Sequence, residues 1–322
     1  MNKIAFIGAG AMGGILGSFL NKGGAEVWFI DPYKEHMDAI RDNGLHLTLN
    51  DEEVYVDGFK TAYDTTGVPE MDVIFIMLNS NLSHIAIAEA LEISGPDTCV
   101  ISCQNGLGHP QEMAEQIPAN RVLYGTIWPG GRLIGPGHVF GNTAVGVNVH
   151  IGALERNDVT NAHAQFLVDT FEAGGLGASY DEDIDAKVWN KVLLNCVVNA
   201  TCALTRLTMG SLYYDPSGNG KIIMEKVARE VGAVAAAKGI DLGTEDWINN
   251  FLPGHMKKIY EHHPSMSQDL YMREKKTEID WLNAKVWEYG QELGVPTPYN
   301  EVITVFIRAI QANYEHQWKP GK

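Results

Sequence analysis

The opening stretch KIAFIGAGAMG, residues 3–13, constrains the fold of this chain more than any other. A short apolar run, Lys3 to Ile7, ends in Gly8-Ala9-Gly10-Ala11-Met12-Gly13 and passes into an amphipathic stretch with Met12, Ile15, Leu16, Phe19 and Leu20, after which Val27 to Ile30 is apolar again. A run of strand length, then helix-spaced apolar residues, then a second strand is a βαβ unit. Each glycine has a reason in that setting: Gly8 for the tight turn, Gly10 so that backbone can approach a pyrophosphate, Gly13 so that helix and strand pack closely. Gly8, Ala9, Gly10, Ala11, Met12 and Gly13 are therefore the expected dinucleotide-binding loop. A glycine-rich turn with no ligand is the plain alternative, and the flanking strand and helix argue against it.

Asp31 follows the second strand, 18 residues past Gly13. An acidic side chain near that spacing accepts hydrogen bonds from the adenosine ribose hydroxyls, and its charge repels a 2′-phosphate. The next basic residue is Lys34, so NAD is expected to be preferred, with NADP as the alternative. Asp31-Pro32 also suits an ordinary turn, and one carboxylate can serve both purposes.

Apolar runs at Val73 to Leu78, Cys99 to Cys103 and Val122 to Ile127 continue the strand pattern, with Ile85 to Leu91 helix-like between the first two. The glycine-rich Gly130 to Gly152 is expected to supply the last strands of the sheet. Beyond about residue 180 the pattern turns helical: Asp185 to Arg206, Lys221 to Lys238, Asp246 to His262, Ser265 to Leu293 and Tyr299 to Tyr314, separated by Gly, Pro and Asn signals. The expected fold class is α/β, a Rossmann-type doubly wound parallel sheet over residues 1–180 followed by an all-α domain over 181–322.

Composition limits the function classes. With 24 basic against 40 acidic residues the formal charge is −16, which argues against a nucleic-acid binder, whose affinity comes from clustered Lys and Arg. No apolar run reaches the length of a membrane span, and the start lacks the order of a signal peptide, so a cytoplasmic protein with no membrane partner is expected. Cys99, Cys103, Cys196 and Cys202 form no C-x-x-C, and the histidines form no H-E-x-x-H, so neither a disulfide framework nor a metal site is expected; reduced, buried thiols are.

In the helical half, Lys191, Asn195 and Asn199 recur at i, i+4 and i+8 and share one stripe of a helix. Their partners could be water or a neighbouring helix; the functional alternative is a proton donor beside two amides that hold a substrate's oxygens. Ser265-Met266-Ser267-Gln268 matches a capping box, and the helix it opens is expected to carry Glu278 further along.

Four blocks together resemble the ketopantoate reductases (2-dehydropantoate 2-reductases): Gly8 to Gly13; Gln104-Asn105-Gly106-Leu107-Gly108; Lys191 to Asn199; and Ser265 to Asp269 running to Thr277-Glu278-Ile279-Asp280. The resemblance implies that Lys191 is the general acid and that Glu278 binds substrate and orders the lysine. It further implies that Asn105 lies at the junction of cofactor and substrate, that Asn195, Asn199 and Ser265 hold a small 2-oxo acid, and that the protein could be a homodimer. Family members that use NADPH place a basic residue where this chain has Asp31 and a lysine within the segment aligned with Leu78-Asn79-Ser80. In both respects the chain is similar to the NAD-using branch of D-2-hydroxy acid dehydrogenases of the D-mandelate type, whose substrates are branched or aromatic.

Two other readings fit less well. The 3-hydroxy acid dehydrogenases carry a glycine-rich run ahead of their helical lysine, and residues 181–190 contain no glycine. A non-enzymatic dinucleotide sensor would have no need of Lys191 and Glu278 together.

Overall fold

The computed structural model describes residues 2–317. They divide into two compact units: residues up to Gln104 with His109–Ile184, and Asn105–Gly108 with the chain from Asp185 onward.

In the first unit, eight strands form one sheet in the order Gly177–Tyr180, Val147–Ala153, Val122–Ile127, Ser94–Ser102, Met71–Ile76, Lys3–Ile7, Glu26–Ile30, Lys60–Ala62. All neighbours run parallel except Val147–Ala153 against Val122–Ile127. Ile4 and Phe6 bury into one face with Phe29 and Phe75, while Ala5 and Ile7 bury into the other with Ile74 and Ile76. That two-sided burial is why these strands read as unbroken apolar runs. The chain leaves Lys3–Ile7 in one direction, through Glu26–Ile30 and Lys60–Ala62, and returns to Met71–Ile76 on its other side. The reversal creates a switch point, and doubly wound sheets bind ligands beyond the carboxyl ends of the strands at such a point.

Two features of this unit depart from expectation. The stretch from Gly130 to Gly152 does not simply extend the main sheet: Gly130–Gly135 and His138–Asn142 join Leu45–Leu49 and Glu52–Val56 in a separate four-stranded sheet, and only Val147–Ala153 enters the large one. Its alternating pattern belongs to a half-buried surface, with Leu45, Leu47, Val56 and Val139 facing the core. The helix Asp158–Gly174 lies outside the expected elements; Asn157 and Thr160 cap its start reciprocally, and Gly175 ends it at φ +92°.

In the second unit, the helix Ile184–Thr205 buries Val192, Leu193, Cys196, Val197 and Ala200 against Met224, Val227, Val231, Leu270 and Ile303. Buried Glu230 accepts the backbone N–H groups of Tyr299 and Asn300 and the Asn300 amide at 2.7–2.9 Å, placing a carboxylate at the start of the helix Pro298–Gln311. Asn283 donates to the Cys196 carbonyl at 3.1 Å and to Asn300 at 2.9 Å, bracing the middle of Ile184–Thr205.

The continuous helix expected over 265–293 is broken. Ser265–Tyr271 ends where Arg273 N–H returns to the Gln268 carbonyl and Lys275 N–H to that of Asp269; Glu274 takes φ +46°, and helix resumes at Asn283–Leu293 after a 3-10 turn at Ile279–Trp281. The Asp269 carboxylate fastens the break through Arg273 at 2.7 Å and Lys275 at 3.3 Å. The expected helix Asp246–His262 is likewise interrupted by a π segment, Trp247–Phe251, between Thr244–Asp246 and Leu252–Lys258. All four cysteines are buried, and burial pushes the Cys99 and Cys202 thiols up to about 12. Among the described residues no helix is long and apolar enough to cross a membrane.

Candidate active site

The glycine loop leaves the carboxyl end of Lys3–Ile7 at the switch point. Gly8 adopts φ +98°, and a Cβ there would meet Leu78 Cδ2 at 2.8 Å and the Met77 carbonyl carbon at 2.9 Å. A Cβ on Gly13 would stand 2.3 Å from the Gly8 carbonyl oxygen. Gly10 differs: nothing lies within 4 Å of the position a Cβ would take. It immediately precedes the helix Ala11–Lys22, whose first turn has no side-chain cap and no acidic residue. Open space in front of uncapped N-terminal amides suits an anion, so this loop fits a dinucleotide pyrophosphate.

Asp31 is tied directly into that loop. Its Oδ2 accepts the Ala9 N–H and its Oδ1 the Tyr33 N–H, both at 2.9 Å. A carboxylate offers about four acceptor sites, so two are left for ribose hydroxyls.

Sequence reasoning missed His36, which is fully buried. Its Nδ1 accepts the Gly137 N–H at 2.8 Å, which leaves Nε2–H to donate to the Ala9 carbonyl at 2.9 Å. The imidazole thus links the dinucleotide loop to the turn between two strands of the small sheet. Burial holds it below its ordinary value of 6.5, against the opposing pull of the Ala9 carbonyl and the Asp31 carboxylate. A lone histidine in a helical stretch carries no sequence signal for such a role.

In the second unit, Lys191, Asn195 and Asn199 lie along one stripe of Ile184–Thr205; the first two are half-buried and Asn199 is buried. The amides of Asn195 and Asn199 make no hydrogen bond to a described side chain or backbone group. Amides in that condition on a largely apolar helix have donors and acceptors to spare for a ligand. The Asn105 amide donates to Glu278 at 3.4 Å, the outer limit of a hydrogen bond. Gly106, at φ +115°, lets its segment lie flat on the turn after Glu278: a Cβ would be 2.4 Å from the Trp281 carbonyl oxygen, which accepts the Leu107 N–H at 2.9 Å.

Glu278 does not lie on the helix that Ser265 opens. It sits in the irregular segment beyond the break, where buried Thr277 donates through its backbone N–H and Oγ1 to Gln311 at 3.0 and 2.9 Å. The capping box is absent as well. Pro264 occupies the cap position without a side-chain bond, Ser265 is the exposed first helical residue, and Gln268 donates its amide to the His263 carbonyl instead. With proline in place, the cap has no N–H for Gln268 to satisfy. Ser267, not singled out from sequence, is buried, and its Oγ has no hydrogen-bond partner among the described residues.

One face of a helix thus presents an ammonium and two amides, while the first unit presents a loop for a dinucleotide. The model of ketopantoate reductase PanE/ApbA matches residues 4–156, and that of its C-terminal part matches residues 183–311. A 2-dehydropantoate 2-reductase of Streptococcus pyogenes serotype M18 is 32% identical over 308 residues, 95% of this chain and 96% of that protein. The chain belongs to the ketopantoate reductase family. As a ketopantoate reductase relative it is an oxidoreductase. Among solved structures, a PanE/ApbA family ketopantoate reductase from Ralstonia eutropha JMP134 has a TM-score of 0.85 at 27% identity, covering 98% of this chain and 100% of its own. D-mandelate dehydrogenase with NADH and anilino(oxo)acetate has a TM-score of 0.86 at 26% identity, with the same coverage.

Proposed function

We propose that this protein reduces the ketone of a 2-oxo acid, with 2-dehydropantoate as first choice and pantoate as product, and that it prefers NADH to NADPH. The observation that carries the reading is the stripe of Lys191, Asn195 and Asn199 on one helix, where the two amides make no hydrogen bond among the described residues. A bound nicotinamide dinucleotide would supply the hydride that reduces the ketone carbon. Gly8 to Gly13, with Ala9, Ala11 and Met12 between the glycines, would hold its pyrophosphate, and Asp31 its ribose. Lys191 stabilises the oxygen that develops negative charge and gives it a proton. Asn195, Asn199 and Ser265 hold the oxygens of the substrate. Glu278 accepts from the terminal hydroxyl of the substrate and orders Lys191, with Asn105 beside it.

A second reading, an NAD-dependent D-2-hydroxy acid dehydrogenase acting on branched or aromatic 2-oxo acids, is favoured by the likeness to D-mandelate dehydrogenase and by Asp31. Oxidation of NADH and NADPH on adding 2-oxo acids, 3-oxo acids or neither tests the shared core of both. Turnover with 3-oxo acids alone, or with none, would remove it.

A further inference from the structure

We infer that His46, Glu53 and His138 form a binding site for a single borderline divalent transition-metal ion, Zn²⁺, Ni²⁺ or Cu²⁺, on the outer face of the four-stranded sheet. The register brings them together. His138 lies opposite His46 in a parallel pair, and Glu53 lies opposite Thr48 in an antiparallel one, so residues 46, 48, 53 and 138 share one face. Asn50 and Asp51, both at positive φ, form the two-residue turn that sets the second pairing. One nitrogen of each imidazole and one Glu53 oxygen lie within 4.8 Å of one another. His46 already contacts Glu53 through Nε2.

The ligands are held before any ion arrives. The two imidazoles stack with centroids 3.9 Å apart and planes 13° apart, and the other face of the pair is closed by Tyr55, 4.3 Å from His46. Thr48 Oγ1 lies 3.1 Å from both Glu53 oxygens and 2.9 Å from His138 Nε2. Once an ion takes the imidazole lone pair, that hydroxyl is left to donate to the carboxylate, the outer-sphere bond that orients a ligand. Two imidazoles and one carboxylate select Zn²⁺, Ni²⁺ or Cu²⁺ over Mg²⁺ or Ca²⁺, which demand oxygen ligands, and for Zn²⁺ leave the fourth tetrahedral position to water. Sequence motifs could not reveal this site, because its ligands come from three strands.

The test is calorimetric titration of chelator-treated protein with Zn²⁺ alone, repeated on His138→Ala, Glu53→Gln and Thr48→Val, with circular dichroism as the check on folding. The expected result is saturable one-to-one binding, abolished in His138→Ala and weakened in Glu53→Gln. Loss of the outer-sphere bond in Thr48→Val should weaken it by about tenfold or more. Mg²⁺ should give no saturable binding. Absence of a one-to-one event in the wild type overturns the site. So does an unchanged isotherm in folded His138→Ala, which would place the ion on other histidines or cysteines.

Discussion

Lys191 is the residue on which the proposed chemistry turns, and its substitution separates chemistry from binding. Lys191→Ala should lower kcat by about 10² to 10⁴-fold, the range for a positioned general acid, while the dissociation constant for cofactor stays close to wild type. Single-turnover kinetics with a direct cofactor titration check this. A folded variant retaining more than about a third of wild-type kcat, with chemistry rate-limiting, would take the role away from Lys191. Asp31 poses a different question, because its carboxylate binds the Ala9 and Tyr33 amides as well as the proposed ribose. Asp31→Asn keeps an acceptor but removes the charge that repels a 2′-phosphate. The ratio of kcat/KM for NADH over NADPH should fall by about tenfold or more, on the scale of ~1–3 kcal/mol for an unmatched charged group. A ratio that does not move contradicts the assignment of cofactor preference to Asp31.

At the scale of elements, the dinucleotide loop depends on a side chain from the second helix of the chain, Lys34–Asn43. His36→Phe fills the space but leaves the buried Gly137 N–H and Ala9 carbonyl unpaired, at about 1–3 kcal/mol for each group. Denaturant unfolding should register that loss, and KM for cofactor should rise while kcat at saturating cofactor holds. A variant equal to wild type in both would make the bridge incidental. The βαβ start was legible because Lys3–Ile7 is buried on both faces and the glycines are punctuation with a steric cause, as the clashes at Gly8 and Gly13 bear out. Asp158–Gly174 is legible too, in Asn157-x-x-Thr160 at its start and Gly174-Gly175 at its end. The break after Tyr271 was not legible: no Gly or Pro marks it, and the chain turns where Arg273 and Lys275 N–H return to the Gln268 and Asp269 carbonyls and Glu274 takes φ +46°. Glu278 could therefore be picked out by resemblance but not placed. Local periodicity says nothing of a loop anchored 34 residues away on Gln311.

For the molecule as a whole, acid acts through two opposed effects. Protonation relieves the self-repulsion of a chain with formal charge −16 at pH 7, which favours the compact state. Against it, burial holds His36 and His255 below 6.5, so the unfolded chain takes up protons near that pH and the folded one does not. Their contribution is level above about pH 6.5 and is lost as pH falls below it toward the lowered folded values. His36→Gln keeps a donor and an acceptor but cannot protonate, so the difference between variant and wild type cancels the general charge effect. Between pH 7.5 and 5.5, the urea midpoint of wild type should fall further than that of His36→Gln; parallel behaviour would mean that His36 titrates normally.

The central claim, a 2-oxo acid reductase whose site is built for a substrate hydroxyl, is tested most directly by kcat/KM with NADH for 2-dehydropantoate against phenylglyoxylate and 2-oxoisovalerate. A site that hydrogen-bonds a hydroxyl rejects analogues lacking it by up to roughly 10⁴-fold, whereas an apolar pocket separates similar side chains weakly. The account predicts the highest value for 2-dehydropantoate. A higher value for phenylglyoxylate or 2-oxoisovalerate would contradict it and make the protein a D-2-hydroxy acid dehydrogenase, with the role of Lys191 unchanged.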